Sequence, residues 1–235
     1  MDPVTVHLDT FSYFFILLSL YANSNTLIIL FSSCAAWNDE RCFLALFLVG
    51  FFHLCNDYKI RFTSFNSLKI NSKCLSVLAS ILLYLMLRLF LSVNFNMHTP
   101  STGANLMMFS KTGFYFPFGV LTFLEGFWIM VILAIILTVK GNDYIIFYFF
   151  VVSALVFILL SGCVTDISRV GTCLFPIVFV CLNYLHRKIS QFELQTILLV
   201  CLVFSFLIPP IVVCPDWSIN FWFSNSNFDL LKKII

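Results

Sequence analysis

The sequence predicts an all-α protein, a polytopic bundle of transmembrane helices with about seven spans (six to eight). Of the 235 residues, 61% are hydrophobic and only 10% are charged, whereas soluble domains carry about a quarter charged residues. The apolar residues are gathered in long runs separated by short polar segments. Most of these runs approach the roughly 20 residues that a helix needs to cross the hydrocarbon core of a bilayer.

The predicted spans lie at residues 11–37, 42–55, 74–95, 114–139, 144–161, 172–185 and 194–213. The first contains a polar patch at 21–26. We predict one tilted helix through this patch, with two half-helices in a re-entrant hairpin as the alternative. The second and sixth runs are short, so the sixth helix is expected to begin near Ile167. Pro209 and Pro210 should bend or end the seventh helix.

The connecting segments predict the orientation of the bundle. Basic residues accumulate on the cytoplasmic side of membrane proteins, and the loop 56–73 contains Lys59, Arg61, Lys69 and Lys73. We therefore place this loop in the cytoplasm, on the same side as the N terminus and the segments 140–143 and 186–193. The opposite, outer side then receives the turn 38–41, the loop 96–113, the polar step at 162–171 and the C-terminal tail.

The whole chain, 1–235, is predicted to form a single integral membrane domain. Its last part, 214–235, is expected to be an interfacial aromatic and amphipathic tail, because residues such as Trp217 and Trp222 suit the headgroup level. The first ten residues contain no Lys or Arg, so no cleavable signal peptide is expected. The nine cysteines show neither CxxC spacing nor a Cys/His cluster. We expect buried reduced thiols, with no metal and no cofactor.

Charged side chains inside the apolar runs are the first candidate functional residues. Arg88 lies in the third run and Glu125 in the fourth. A charge at the centre of a bilayer costs about 2.5–3.5 kcal/mol on insertion scales, so such residues usually face the bundle interior and a partner. The two spans are antiparallel and joined by one loop, so we expect an Arg88–Glu125 ion pair. Two structural alternatives are that the pair only locks two helices, or that Arg88 extends to the headgroups.

The polar step at 162–171 holds the second candidate site. Asp166 and Arg169 are three residues apart, so they share a face at the start of a helix. An arginine can bind a phosphate or carboxylate through two N–H hydrogen-bond donors, and an aspartate can act as a hydrogen-bond acceptor or a general base. His98, on the same outer side, is a further candidate. The structural alternative is a helix cap followed by an arginine at the interface.

The sequence G-C-V-T-D-I-S-R-V at 162–170, followed by an apolar segment with Pro176, resembles an Asp-x-Thr/Ser-Arg step of bacterial polytopic membrane proteins of surface-polysaccharide assembly. These include exopolysaccharide and O-antigen polymerase-like proteins and multipass glycosyltransferases. The resemblance covers this short segment and the surrounding hydropathy. It implies a bacterial inner-membrane protein that acts on a lipid-linked glycan at the outer face, and it carries over Asp166 and Arg169 only.

Two functions are consistent with these observations. The first is a membrane enzyme acting on a lipid-linked glycan or another lipid-anchored substrate at the non-cytoplasmic face, with Asp166 and Glu125 as catalytic residues. Arg169, Arg88 and His98 would bind the substrate. The alternative is a non-catalytic membrane subunit or a transport or flippase-type component of a membrane complex. The expected partners are membrane lipids, a lipid-linked sugar and other membrane subunits; the net charge of +2 does not favour nucleic acid.

Overall fold

A computed structural model of the chain describes residues 3–39, 42–57, 70–95, 116–162, 167–207, 211–213 and 219–221. The helices are α1 (Pro3–Tyr21), α2 (Asn25–Asn38), α3 (Cys42–Asp57), α4 (Ser72–Phe95), α5 (Phe116–Leu121), α6 (Trp128–Lys140), α7 (Tyr144–Gly162), α8 (Ile167–Thr172), α9 (Pro176–His186) and α10 (Gln191–Leu207). A 3-10 turn, Glu125–Phe127, lies between α5 and α6. Two short antiparallel strands, β1 (Ile211–Val213) and β2 (Ile219–Phe221), follow α10.

The helical fold class is confirmed, and two of its helices are long and apolar enough to cross a membrane. They are α4, at Ser72–Phe95, and the Tyr144–Ser161 part of α7, with mean hydropathies of 2.3 and 2.6. The other apolar helices found by the same criteria have 10–17 residues. The structure therefore supports two membrane-length helices rather than the seven spans that the sequence predicts.

The first predicted span is not one helix. The chain leaves helical conformation at Ala22–Ser24, so that α1 and α2 form a hairpin of two packed helices. The Ser19 and Ser32 hydroxyls lie 2.7 Å apart across this hairpin. Asn and Ser compete with helical backbone bonds and favour turns and helix starts, and Ser24 has the extended conformation of an N-cap residue. The break agrees with the alternative of two helices instead of one. That the two helices form a re-entrant hairpin in a membrane stays a prediction.

The fourth predicted span is also broken, because α5 ends at Leu121 and α6 begins only at Trp128. Glu125 at the break has a φ of 48°, in the left-handed region that non-glycine residues rarely adopt. The polar backbone groups at the break are hydrogen-bonded. The Gly126 amide donates to the Ser205 hydroxyl at 3.1 Å, and the Trp128 indole donates to the Val120 carbonyl at 3.1 Å.

The seventh predicted span is shorter than expected. Its helix, α10, ends at Leu207, and residues 211–213 form strand β1. The prediction that the two prolines bend or end this helix is consistent with its end at Leu207, although both prolines lie outside the described residues. Of the predicted tail 214–235, the structure describes 219–221, which pair with β1.

The polar contacts define two ends of the bundle. At one end, called here the Lys188 end, the Arg187 guanidinium donates to the Cys55 carbonyl at 2.9 Å and Lys73 lies 3.3 Å from the Asn23 side chain. The other end, called the Arg88 end, contains the end of α2, the start of α3 and the short helix α8. Its contacts include the hydrogen bond of 2.5 Å between the Tyr13 and Thr172 hydroxyls.

The hairpin corrects the predicted side of the first helix. We expected the chain to start on the side of the loop 56–73, which adjoins the Lys188 end. Because α1 and α2 together return to the side from which they began, Tyr13 in α1 lies near Thr172 instead. The start of α1 therefore points to the Arg88 end. The core lies where α3 packs against α1, α4 and α9, with fully buried Ile16, Leu46 and Ile177.

Candidate functional site

The structure describes some of the predicted site residues in full, one by its backbone only, and leaves two outside the described residues. Arg88 and Glu125 are described with their side chains, and Arg169 is placed by its backbone in α8. Asp166 and His98 lie outside the described residues. Their predicted roles, and any contact between Asp166 and Arg169, therefore stay predictions.

Arg88 and Glu125 do not form the predicted ion pair. The helix of Arg88, α4, packs on α2 and α3, whereas the turn of Glu125 packs on α10 and α6. The guanidinium of Arg88 instead donates to the Tyr84 hydroxyl, and its carbon lies 5.7 Å from the centre of the Tyr84 ring. The physical reason is the extra helix of the N-terminal hairpin: α2 covers the face of α4 that was expected to meet the fourth span.

Glu125 does lie close to the helix that carries Arg169. Gly171, near the end of α8, approaches Phe123 so tightly that a Cβ atom at Gly171 would fall 1.8 Å from the Phe123 ring. The end of α8 and the break at Glu125 are therefore neighbours at the Arg88 end. Arg88 itself lies on α4, which packs on α2 and α3.

A groove between α2 and α4 is a candidate binding site in the described part of the chain. It has a volume of about 310 Å³, at the lower end of the range of small-molecule pockets, about 300–1,000 Å³. This α2–α4 groove is lined by Phe15, Leu30, Ser33, Cys34, Trp37, Asn38, Leu83, Tyr84 and Leu87. Its walls are mainly apolar, and it opens beside Trp37, whose side chain is 58% exposed.

Polar groups gather towards one end of the groove. Tyr84 lines it beside Trp37, and the two rings meet edge to face with centroids 6.5 Å apart. Arg88 lies one helical turn after Tyr84 and binds its hydroxyl. Farther along the groove, the Ser33 hydroxyl is buried without a hydrogen-bond partner among the described residues. An apolar slot with the Tyr84 hydroxyl and the neighbouring Arg88 at one end, and the Ser33 hydroxyl farther along, can hold a molecule with a long apolar part and a polar head.

Sequence reasoning identified Arg88 but missed the groove. The spacing of the groove residues can be read from the sequence. Ser33 and Trp37 are four residues apart and share a face of one helix, and Tyr84 and Arg88 share a face of another in the same way. What the sequence did not indicate is that these two faces meet. The break of the first apolar run into two helices brings them together.

A second polar cluster closes the Lys188 end. The Asp143 side chain is 4% exposed, and the Lys188 ammonium lies 2.7 Å from Asp143 Oδ2. The Tyr184 hydroxyl donates to the same oxygen at 2.9 Å. The sequence predicts only a polar turn at 140–143 and a polar loop at 186–193. Since the buried carboxylate is paired and hydrogen-bonded, the cluster serves to hold the α6–α7 turn against the end of α9.

The start of α10 carries a reciprocal cap. The Ser190 amide and hydroxyl both donate to Glu193 Oε2 at 2.8 Å, and the Glu193 amide donates to the Ser190 hydroxyl oxygen at 3.3 Å. This is the capping box, which satisfies backbone donors that a helix start leaves open. The hydrogen bonds from the Ser190 amide and then its hydroxyl hold the pKa of the Glu193 carboxyl below its ordinary value.

Among the described residues, no group of three or more His, Cys, Asp or Glu side chains is arranged to hold a metal ion. Comparison of the chain with protein-family models, with curated proteins and with solved structures gave no match. The geometry of the described residues therefore provides the basis for a functional proposal.

Proposed function

We propose that the chain is an integral membrane protein that binds a lipid with an anionic headgroup in the α2–α4 groove. The apolar part of the lipid lies against the walls of the groove, and the headgroup lies beside Arg88. The observation that carries this proposal is the groove itself, an apolar slot of about 310 Å³ lined near one end by Tyr84, whose hydroxyl accepts a hydrogen bond from Arg88.

The surfaces of the two long helices support insertion in a membrane. Within the described structure, only 28% of the apolar window of α4 and of α7 is buried. On α4, Leu82, Met86 and Leu89 are 57%, 68% and 66% exposed. Soluble monomers rarely expose large contiguous apolar patches, whereas a bilayer covers such a surface at no cost.

The position of Arg88 favours an anionic headgroup. A guanidinium binds phosphate or carboxylate oxygens with two parallel donors, and an intramembrane arginine is expensive unless it has a partner or reaches the interface. The Arg88 guanidinium donates to the hydroxyl of Tyr84, and Tyr84 lines the groove.

The proposed substrate is a lipid-linked glycan, and the proposed position of its headgroup is the non-cytoplasmic side of the membrane. A lipid-linked glycan is an anionic lipid of the required kind, and we place its headgroup on the non-cytoplasmic side of a bacterial inner membrane. Glu125 and the backbone of Arg169 share the Arg88 end of the bundle with the polar end of the groove. A catalytic reaction on the headgroup would therefore take place at this end.

The alternative is a non-catalytic subunit of a membrane complex, or a component that moves a lipid. The observation that favours it is the exposed apolar face of α4, since this face can pack on a helix of another subunit as well as on lipid. In that case the groove would receive a side chain of the partner, and no lipid would remain bound after purification in detergent.

The test is the lipid content of the purified protein. The wild-type chain is extracted in a mild detergent and its bound lipids are measured by native mass spectrometry, beside Arg88→Met, Ser33→Phe and the control Lys140→Met. We expect Arg88→Met to lose anionic lipid selectively and Ser33→Phe, which fills the groove, to lose bound lipid altogether. Lys140 is exposed at the other end of the bundle, so its replacement should change nothing. Equal lipid content in all four proteins would refute the proposal.

A further inference from the structure

Two cysteines from distant parts of the chain meet at the Arg88 end. Cys42, the first residue of α3, and Cys173, just after α8, have sulfur atoms 3.9 Å apart. They are 131 residues apart in sequence, and both side chains are fully buried. We propose that Cys42 and Cys173 form a reversible disulfide that locks α3 to the junction of α8 and α9. This inference does not depend on the proposed lipid.

The local packing brings the two thiols to within a short movement of bonding distance. A disulfide needs sulfur atoms about 2.05 Å apart, so these sulfur atoms must approach each other by about 2 Å. The adjoining residue Thr172 is held to α1 by the hydrogen bond of its hydroxyl to Tyr13, at 2.5 Å. This hydrogen bond joins α8 to α1, and the sulfur–sulfur distance of 3.9 Å places Cys42 of α3 beside the same point.

The orientation predicted from the basic loop favours oxidation at this end. The turn 38–41 next to Cys42 and the polar step before Cys173 are both expected on the outer side of the membrane. Disulfides form and persist in compartments outside the cytoplasm. Cys55 and Cys181, which are also buried, lie in α3 and α9 towards the opposite end, and we expect them to stay reduced.

The oxidant is a protein disulfide supplied by a thiol–disulfide exchange catalyst of that compartment. When the junction of α3 with α8 opens and exposes the two thiols, the thiolate of Cys42 or Cys173 attacks one sulfur of this disulfide and forms a mixed disulfide, releasing the catalyst's first thiolate. The other cysteine then attacks the mixed disulfide, forming the Cys42–Cys173 bond and releasing the second thiolate. The chain loses two electrons and two protons, and the catalyst is reduced to its dithiol.

The Cys42–Cys173 disulfide would connect the α2–α4 groove with the helix that carries Arg169. Cys42 follows the turn that begins at the end of α2, where Asn38 lines the polar end of the groove. Cys173 follows the helix of Arg169, and the adjoining Gly171 packs on Phe123 beside Glu125. Oxidation would therefore fix the mouth of the groove relative to the polar step, and reduction would free the two regions to move apart.

Peptide mapping of the full-length protein tests the proposal. Membranes are treated with oxidised glutathione or with diamide, a small permeable oxidant. Remaining thiols are alkylated, and the protein is digested without reductant for mass spectrometry. We expect a linked pair of peptides containing Cys42 and Cys173, lost in Cys42→Ser and in Cys173→Ser but kept in the matched control Cys181→Ser. The oxidised wild type should also unfold at a higher temperature than Cys42→Ser, and reductant should remove the difference.

Two results would overturn the proposal. One is recovery of Cys42 and Cys173 as separate alkylated peptides after treatment with either oxidant. The other is linkage of Cys42 to the remaining cysteines as often as to Cys173, because the packing at this junction would then not determine the pairing.

Discussion

Replacement of Lys188 by methionine is expected to destabilise the bundle, because it leaves the buried Asp143 carboxylate with Tyr184 as its remaining side-chain donor. The Lys188 ammonium lies 2.7 Å from Asp143 Oδ2, and the two side chains are 36% and 4% exposed. Removing one partner of a fully buried ion pair costs about 3–5 kcal/mol. Since Lys188 is a third exposed, solvent screens part of this interaction, and we expect a loss of about 2 kcal/mol.

The assay is reversible denaturation of the purified protein in detergent, followed by far-UV circular dichroism. Lys140→Met is the matched control, because Lys140 ends α6 near the same turn but is exposed. Its replacement should change the free energy of unfolding by about 0.5 kcal/mol or less. A double-mutant cycle of Lys188→Met with Asp143→Asn should show strong coupling. Equal effects of the two lysine replacements, or additive losses in the cycle, would refute this reasoning.

Two further changes test local packing and the cap of α10. Gly171→Ala should destabilise the protein by about 1–3 kcal/mol, because the added Cβ would fall 1.8 Å from the Phe123 ring. Gly50→Ala, whose Cβ would have its nearest contact at 3.7 Å, should be tolerated. Thermal unfolding of the two variants measures the difference. The pKa of the Glu193 carboxyl is lower in the folded protein than in the unfolded chain. The ionised carboxylate therefore stabilises the fold fully above the pKa of the unfolded chain, and this stabilisation is lost as the pH falls through the pKa of the folded protein. The difference in unfolding temperature between wild type and Glu193→Gln should therefore shrink as the pH falls from 6 to 3. In a Ser190→Ala background, most of this difference should already be absent at pH 6. A difference that does not change with pH would contradict the capping box.

The sequence was sufficient to predict the helical class and several helix positions, because long apolar runs have few other ways to satisfy their backbone groups. The helix at 74–95 agrees closely with α4, and the one at 144–161 with α7. The two broken runs were harder to predict. Hydropathy averages over a window, and a few residues that favour turns, such as Asn23 and Ser24, interrupt a helix without lowering the average much.

The candidate site was only partly predictable for the same reason. A single charge in an apolar run identified Arg88, but its neighbours depend on which helices pack together. The turn at Ala22–Ser24, which the sequence offered only as an alternative, places α2 against α4. The guanidinium of Arg88 donates to Tyr84 of its own helix. The buried Asp143–Lys188 pair was missed because both residues occur in short polar connections, which usually face water.

The position of a lipid chain relative to Trp37 tests the central claim most directly. The chain has four tryptophans, so a variant that keeps Trp37 and replaces the other three by phenylalanine reports on the groove alone. The protein is reconstituted in vesicles that contain lipids brominated in the acyl chain, which quench tryptophan fluorescence on contact. If the groove binds an anionic lipid, brominated anionic lipid should quench Trp37 more strongly than brominated zwitterionic lipid, and Arg88→Met should abolish the difference. Equal quenching by the two lipids, unchanged by Arg88→Met, would contradict a binding site for an anionic lipid in the α2–α4 groove.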